Sequence, residues 1–124
     1  MSREDIRRAL APHPATAFRK APTSVNLADA FRDLGVHIHF DVDDRCEAIE
    51  LFDPADPTLD GERPIGRPFV ELLEWFRSRD SKIETDDAGL TSRRLGVGLY
   101  APAAQKAPEE SVEGVIVFRR GYYD

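Results

Sequence analysis

The chain has little of several residue types, and each shortage excludes a class of protein. Of 124 residues only Cys46 is a cysteine, so no internal disulfide can form and a cytoplasmic location is expected. No run approaches the roughly 20 apolar residues of a membrane span, and the charged opening residues are not followed by the apolar run of a signal peptide. Basic residues are outnumbered, 17 to 23, by acidic ones. The resulting net charge of −6 argues against a nucleic-acid partner.

The acidic residues are concentrated in one part of the chain. Residues 41–62 hold nine acids and one base, a net charge of −8, so the other residues sum to +2. One interpretation is a solvated loop with flanking strand ends. The other is an acidic surface that docks a basic protein partner. The residues predicted to bind that partner are Asp41, Asp43, Asp44, Asp53, Asp56 and Asp60.

Two helices are predicted from capping and apolar spacing. In residues 1–11, Ser2 followed by Asp5 forms a capping pattern. In residues 68–80, Pro68 suits the first helical position, because a residue there needs no amide hydrogen. An apolar stripe follows, formed by Phe69, Leu72, Leu73 and Phe76. The second helix must therefore pack on something large, and a sheet is expected.

Alternation of apolar and polar residues predicts strands. Residues 36–41 place His37, His39 and Asp41 on one face and apolar side chains on the other. The other predicted strands are a brief extended piece at Phe18, Cys46–Phe52, and residues 90–94, 97–101 and 112–118. The last of them is apolar on both faces and is therefore expected to be central.

The two halves of the chain resemble each other. LGVHIH at residues 34–39 aligns with LGVGLY at 95–100, and CEAIELF at 46–52 aligns with VEGVIVF at 112–118. A predicted helix precedes each of these hairpins.

The sequence therefore predicts a single α+β domain built from two diverged helix-strand-strand-strand repeats. The repeats cover about residues 1–53 and 65–124, and an acidic linker at 53–64 joins them. Their strands are expected to form an antiparallel sheet with the helices on one face. Strand order, and whether both repeats share one sheet, stay open.

Four runs in the chain resemble a family of small uncharacterised bacterial proteins. They are LGVHIHFD, CEAIELF, LTSRRLGVGLYAP and EGVIVFRRGYYD. The opening residues 1–6 also resemble the first helix of tandem-repeat folds, among them β-lactamase-inhibitor-like proteins and small lipoproteins of outer-membrane assembly. That resemblance implies a unit used mostly to bind other proteins. The chain departs from it, since no glycine precedes Met1 and there is no lipobox cysteine.

One strand carries residues that suit a metal or ligand. His37, His39 and Asp41 project from one face, and two histidines with a carboxylate can bind a metal ion. The same pattern is typical of any strand with a polar outer face. No established ligand spacing is present, so no metal, cofactor or catalytic residue is assigned.

Cys46, Glu47 and Glu113 are of residue types that can take part in catalysis. Cys46 aligns with Val112, which favours a small core residue over a nucleophile. Glu47 and Glu113 occupy equivalent positions, where paired carboxylates could do acid–base work. Exposed carboxylates are the favoured interpretation, because charged residues are rarely buried without a partner.

Three functional hypotheses follow. The preferred one is a non-catalytic protein-binding module, of immunity or regulatory type, that docks a basic partner on the acidic residues. The second is a small enzyme or ligand binder that uses the sheet face around His37, His39 and Glu47. The third is a homodimer that pairs exposed sheet edges.

Overall fold

The computed structural model describes residues 1–104, 106–107 and 109–123. This part of the chain contains two helices and eight strands. The helices are α1 (Arg3–Ala9) and α2 (Phe69–Arg77). The strands are β1 (Thr16–Phe18), β2 (Ala28–Phe31), β3 (Val36–Phe40), β4 (Cys46–Phe52), β5 (Glu84–Asp86), β6 (Gly89–Ser92), β7 (Val97–Tyr100) and β8 (Gly114–Phe118). The predicted α+β class with an antiparallel sheet is confirmed.

Both helices lie where their local signals place them. The Ser2 hydroxyl accepts a hydrogen bond from the Asp5 amide at 3.2 Å, so Ser2 caps α1. Pro68 is the N-cap of α2 rather than its first helical residue. The stripe of α2 is buried at Phe69, Leu72 and Phe76 and partly buried at Leu73. Neither of the two described helices is long and apolar enough to cross a membrane.

The described strands form one antiparallel sheet in the order β1-β2-β3-β4-β8-β7-β6-β5. Neighbours in the sheet are also neighbours in the chain, except at the centre, where β4 pairs with β8. In that central pair Glu50 lies opposite Ile116. Both predicted hairpins therefore belong to the same sheet.

Several strands differ from the sequence prediction. β2 and β5 were not predicted, so each helix is followed by four strands rather than three. β8 begins at Gly114, because the Val112 amide donates instead to the Arg67 carbonyl at 2.8 Å in the segment before α2. β4 begins and ends at the predicted residues.

The strand registers sort side chains onto two faces. We call one the apolar face; it carries Ile38, Ile49, Leu51, Leu90, Val97, Leu99, Val115 and Val117. We call the other the histidine face; it carries Ala30, His37, His39, Ala48, Glu50, Phe52, Thr91, Gly98, Tyr100, Gly114 and Ile116.

Apolar side chains form two buried clusters, one with each helix. Ile6 of α1 is buried with Phe31, Ile38 and Phe40. The buried residues of α2 pack in a second cluster whose strand members are Leu90, Val97, Leu99 and Val115. Burial of such side chains stabilises each by about 1.5–3 kcal/mol relative to exposure.

A buried carboxylate connects α1 to β2. Asp29 is fully buried, and its oxygens accept hydrogen bonds from Arg3 at 2.8 Å and from Arg7 at 2.7 and 2.8 Å. An ionised carboxylate without partners would be costly at this position. The two arginines therefore fix α1 in place as well as neutralising Asp29.

Candidate functional site

The centre of the histidine face holds two imidazoles and a carboxylate. In the β3–β4 register His37 lies opposite Glu50 and His39 lies opposite Ala48. Glu50 reaches diagonally and forms a hydrogen bond with Nε2 of His39. His39 is buried and Glu50 is partly buried. The predicted pair of histidines therefore does share one face, and Glu50 is its carboxylate partner.

His37 is enclosed by aromatic rings. Its ring centroid lies 4.9 Å from that of Phe18 and 5.2 Å from that of Phe52. Burial lowers the pKa of His37 below its ordinary value of 6.5, although the nearby Glu50 charge acts in the opposite direction. At neutral pH His37 is therefore a neutral imidazole.

Glu50 is held in its ionised form. Burial by itself would raise the pKa of Glu50, but the hydrogen bond with His39 and the charge of Lys20 more than offset it, so the pKa lies below 4.5. The His39–Glu50 pair fixes the orientation of the imidazole. Because His39 is buried, Glu50 is the member of the pair that a ligand on the histidine face could reach.

Asp41 does not join the two histidines. Its carboxylate accepts hydrogen bonds from the amides of Asp43 and Arg45 in the β3–β4 turn at 2.9 and 3.0 Å, and from Arg119, which follows β8, at 2.8 Å. Within residues 1–104, 106–107 and 109–123, no group of three or more His, Cys, Asp or Glu side chains could hold a metal ion. His37, His39 and Asp41 therefore do not form such a group.

Two tyrosines near the end of the described chain pack on the histidine face. The ring centroids of Tyr122 and Tyr123 lie 5.9 and 4.9 Å from that of Phe118, and 4.8 Å from each other. Burial raises the pKa of both phenols above 10, so both are neutral and can donate hydrogen bonds. Tyr123 lines an open hollow together with Glu50.

The predicted partner-binding aspartates fall into two groups. Asp41, Asp43 and Asp44 precede β4, whereas Asp53, Asp56 and Asp60 follow it. The seven residues of β4 separate the groups by roughly 20 Å, at about 3.4 Å per residue. The acidic residues therefore form two surfaces rather than one.

Arginines neutralise most of these aspartates. The ion pairs are Asp41–Arg119 at 2.8 Å, Asp44–Arg3 at 2.9 Å, Asp56–Arg63 at 3.2 Å and Asp60–Arg79 at 3.9 Å. Asp43 and Asp53 are exposed and form no ion pair with any described residue. The net charge of the segment thus overstates the acidity of either surface.

The surroundings of Cys46, Glu47 and Glu113 do not favour a chemical role. Cys46 is partly buried against the α1 cluster, and burial raises the pKa of its thiol, which makes it a poor nucleophile. Glu47 pairs with Arg119 at 3.3 Å. Glu113 is exposed. Glu47 and Glu113 thus have different surroundings, and neither is hydrogen-bonded to a histidine within the described chain.

Lys20 and Glu50 are the site residues that sequence reasoning missed. Glu50 could have been found, because the alternation of CEAIELF and a hairpin register place it opposite His37. Lys20 could not, since it lies in the irregular segment between β1 and β2 and its position depends on tertiary structure. Comparisons with protein-family models, curated proteins and solved structures find no match. The family resemblance therefore stays a prediction.

Proposed function

We propose that the protein is a non-catalytic binding module, of immunity or regulatory type, that docks a basic protein partner at one end of its sheet. We call this surface the turn end; it comprises Met1, Val25, Asn26, Leu27 and residues 41–45. It contains three of the six aspartates predicted from the sequence. The proposal retains the cytoplasmic location that the lone cysteine predicts.

The observation that carries the proposal is a group of exposed apolar side chains at the turn end. The exposed fraction is 77% for Val42, 76% for Val25, 65% for Met1 and 37% for Leu27. Single exposed apolar residues are ordinary, but a contiguous group of them is typical of an interaction surface. Burying them against a partner would supply the main favourable term of association.

Hydrogen bonds join the three chain segments that carry these side chains. The Arg3 guanidinium donates to the Leu27 carbonyl at 2.7 Å and to Asp44 at 2.9 Å. The Asn26 amide donates to Asp44 at 2.8 Å and to the Asp41 carbonyl at 3.1 Å. Because the surface is already ordered, it would lose little conformational entropy when a partner binds.

Charge favours a basic group on the partner. Asp43 is exposed at the turn end and forms no ion pair with a described residue, whereas Asp41 and Asp44 have arginine partners. A lysine or arginine of the partner could pair with Asp43 without displacing an existing contact. Asp53, Asp56 and Asp60 lie beyond β4, so the proposed interface does not include them.

The test compares matched variants at the two ends of the molecule. The tagged protein is used to capture a partner from bacterial lysate, and the affinity of that partner is then measured for Val42→Ser and Asp43→Asn. Each is expected to weaken binding about tenfold, as for a residue worth roughly 1.4 kcal/mol. The controls are Val70→Ser, exposed on α2, and Asp53→Asn.

Two outcomes of this comparison would contradict the proposal. Unchanged affinity in Val42→Ser and Asp43→Asn, or a loss in the controls alone, would place the interface elsewhere. The Asp43 contribution should also decline at high salt, because exposed ion pairs are screened.

We further propose that the fold consists of two diverged copies of one unit, with both helices on the apolar face. Gly35 and Gly96 have φ angles of +70° and +71°, and their carbonyls accept hydrogen bonds from Phe52 and Phe118 at 2.7 and 2.9 Å. Glu50 and Ile116, which are equivalent in the alignment, face each other in the central pair. An approximate two-fold axis through that pair accounts for these correspondences.

A further inference from the structure

One ring nitrogen of His39 is left without a partner. Nε2 is hydrogen-bonded to Glu50, whereas Nδ1 has no hydrogen-bond partner among the residues that the structure describes. Only 7% of the side chain is exposed. Since every fully buried side-chain nitrogen or oxygen in the described chain has a partner, Nδ1 must lie in the small part of the imidazole that solvent reaches. A mostly buried nitrogen without a protein partner is a position where a bound molecule can supply one.

A hollow that is open to solvent lies beside this part of His39. We call it the His39 hollow; besides His39 its lining includes Lys20, Val25, Ala28 and Tyr122. The neighbouring strands place only small side chains beside the imidazole, Ala28 on β2 and Ala48 opposite His39 on β4. Glu50 covers the ring from the centre of the histidine face, whereas the His39 hollow reaches it from the turn end, to which Val25 belongs.

Three of the polar residues that line the His39 hollow already have partners. The Ser24 hydroxyl accepts a hydrogen bond from a backbone amide at 3.0 Å, the Asn26 side chain binds a carboxylate and a backbone amide at 2.8 Å each, and Glu47 pairs with an arginine at 3.3 Å. By contrast, Lys20 and the Tyr122 hydroxyl have no hydrogen-bond or ion-pair partner within the described residues. The groups left for a bound molecule are therefore Lys20, Tyr122 and Nδ1 of His39.

The charge on Glu50 decides what Nδ1 can bind. An ionised carboxylate only accepts hydrogen bonds, so Nε2 of His39 carries the proton, and Nδ1 of the neutral imidazole is an acceptor. The bound molecule must therefore donate a hydrogen. A carboxylate ligand has none to donate at neutral pH, and an ammonium group would be repelled by Lys20 in the same hollow. A neutral hydroxyl group meets both conditions.

We infer that the His39 hollow binds a phenol group, whose hydroxyl donates a hydrogen bond to Nδ1 of His39. A phenol, which ionises near pH 10 in water, is a stronger donor than an aliphatic alcohol. Lys20 stabilises the negative charge that develops on the phenol oxygen, and the ring of Tyr122 offers an aromatic surface to the ligand ring. This site goes beyond the proposed docking function, because it requires no protein partner.

The first experiment titrates the protein with p-cresol, toluene and benzylamine at about pH 8, above the ordinary histidine pKa of about 6.5, while NMR spectra are recorded. p-Cresol has the hydroxyl, toluene lacks it, and benzylamine replaces it with a cationic donor. We expect p-cresol to shift the imidazole resonances of His39 and to bind about tenfold more tightly than toluene, which would leave Nδ1 unpaired. Equal affinity for toluene or benzylamine, shifts confined to residues outside the hollow, or no binding of p-cresol would overturn the inference.

Matched variants then test the two assigned groups. His39→Phe should reduce the affinity for p-cresol to that for toluene, whereas His13→Phe, outside the hollow, should leave it unchanged. Lys20→Met should remove the discrimination against benzylamine, and Lys82→Met, also outside the hollow, should not. Unchanged p-cresol binding in His39→Phe would overturn the assignment of Nδ1.

A measurement on the unaltered protein keeps the inference testable if His39→Phe does not fold, because Glu50 loses its partner in that variant. The ¹⁵N shifts of the His39 imidazole report which nitrogen carries the proton. We expect a protonated Nε2 and an unprotonated Nδ1 that shifts when p-cresol is added. A proton on Nδ1 would overturn the inference.

A final experiment identifies the source of the phenol group, which belongs either to a free aromatic compound or to a tyrosine of the docked partner. Val25 lines the His39 hollow and is part of the turn end, so a docked tyrosine would be displaced by p-cresol, whereas a partner without one would stay bound. Val42→Ser lies outside the hollow and should weaken partner binding without affecting p-cresol. The docking proposal and this inference can therefore fail independently.

Discussion

At the scale of single residues, the β3–β4 register places Glu50 beside the histidines, and a β-bulge takes Glu47 out of the ladder. The β3–β4 register shifts between His39 and Phe40, so Ala48 lies opposite His39 and Cys46 opposite Phe40. Glu47 is left without a partner position in the ladder. Glu47 was predicted to share the sheet face with the histidines, but the carboxylate in contact with His39 is Glu50. The alternation of polar residues predicted the shared face of the histidines, whereas the bulge has no clear sequence signal.

Stability should fall in two stages as the pH is lowered. The folded-state pKa values of His37 and Glu50 both lie below their ordinary values of 6.5 and 4.5. The unfolded chain therefore binds protons that the folded chain does not, so acidification favours unfolding. We expect a first loss beginning near pH 6.5 from His37 and a second beginning near pH 4.5 from Glu50. Each is expected to be below about 1 kcal/mol, since solvent screens partly exposed groups.

Urea unfolding at a series of pH values measures both stages. His37→Phe should remove the first stage, because phenylalanine can fill the space between Phe18 and Phe52 without titrating. Glu50→Gln should reduce the second. His13→Phe is the control, since His13 is exposed and lies far along the chain from His37. A first stage that persists in His37→Phe would show that another group binds the proton.

At the scale of elements, local signals predicted the helices and β4 but not β2 and β5. Ser2 and the α2 stripe are signals contained within the element itself, and Cys46–Phe52 alternates over seven residues. β2 is only four residues long and buried at every position, and its Asp29 is acceptable there only because two arginines of α1 reach it. β5 has three exposed residues, two of them acidic. Neither strand has the pattern from which a strand is predicted.

Two glycines with similar backbone angles should differ greatly in their tolerance of alanine. Gly35 (φ +70°) and Gly61 (φ +81°) both adopt the left-handed conformation. A Cβ on Gly35 would lie 2.1 Å from the Phe52 carbonyl oxygen, whereas a Cβ on Gly61 would meet no atom within 4 Å. Gly61→Ala should cost about 1 kcal/mol of unfolding free energy from the backbone alone, and Gly35→Ala about 3 kcal/mol or more.

Chemical denaturation of both variants checks this difference, and Gly61→Ala serves as the matched control for backbone strain. Equal losses would mean that the chain between β2 and β3 relaxes away from Phe52. That result would also weaken the proposed correspondence between Gly35 and Gly96.

At the scale of the whole molecule, residues that are close in sequence need not form one surface. Residues 41–62 appeared as one acidic segment, yet β4 carries the chain across the sheet between its two aspartate groups. The arginines that pair with them come from distant parts of the chain, Arg3 at one end and Arg119 at the other. Net charge by segment could not predict this neutralisation, because it depends on tertiary contacts.

The proposed two-unit architecture predicts that the chain can be divided between the units. Residues 1–62 and 63–124, expressed as separate chains, should associate when mixed and recover a native-like circular dichroism spectrum. The physical reason is that every strand pairing except β4–β8 lies within one half. Val117→Asp in the second chain should prevent association, because Val117 lies opposite Ile49 at the central pair.

Exposed Glu113 provides the control for that experiment, and Glu113→Lys should not affect association. Failure of the unmodified halves to associate would show that the units depend on chain continuity.

The central position of β4 also has a consequence while the protein is being synthesised. Its pairing with β3 can form early, but its other edge must wait for β8, roughly 60 residues later at about 5–20 residues per second. For several seconds on the ribosome, a seven-residue strand therefore has an unpaired edge that could join a neighbouring nascent chain. The two glutamates of this strand, Glu47 and Glu50, place charge on it, and we expect that charge to disfavour such pairing.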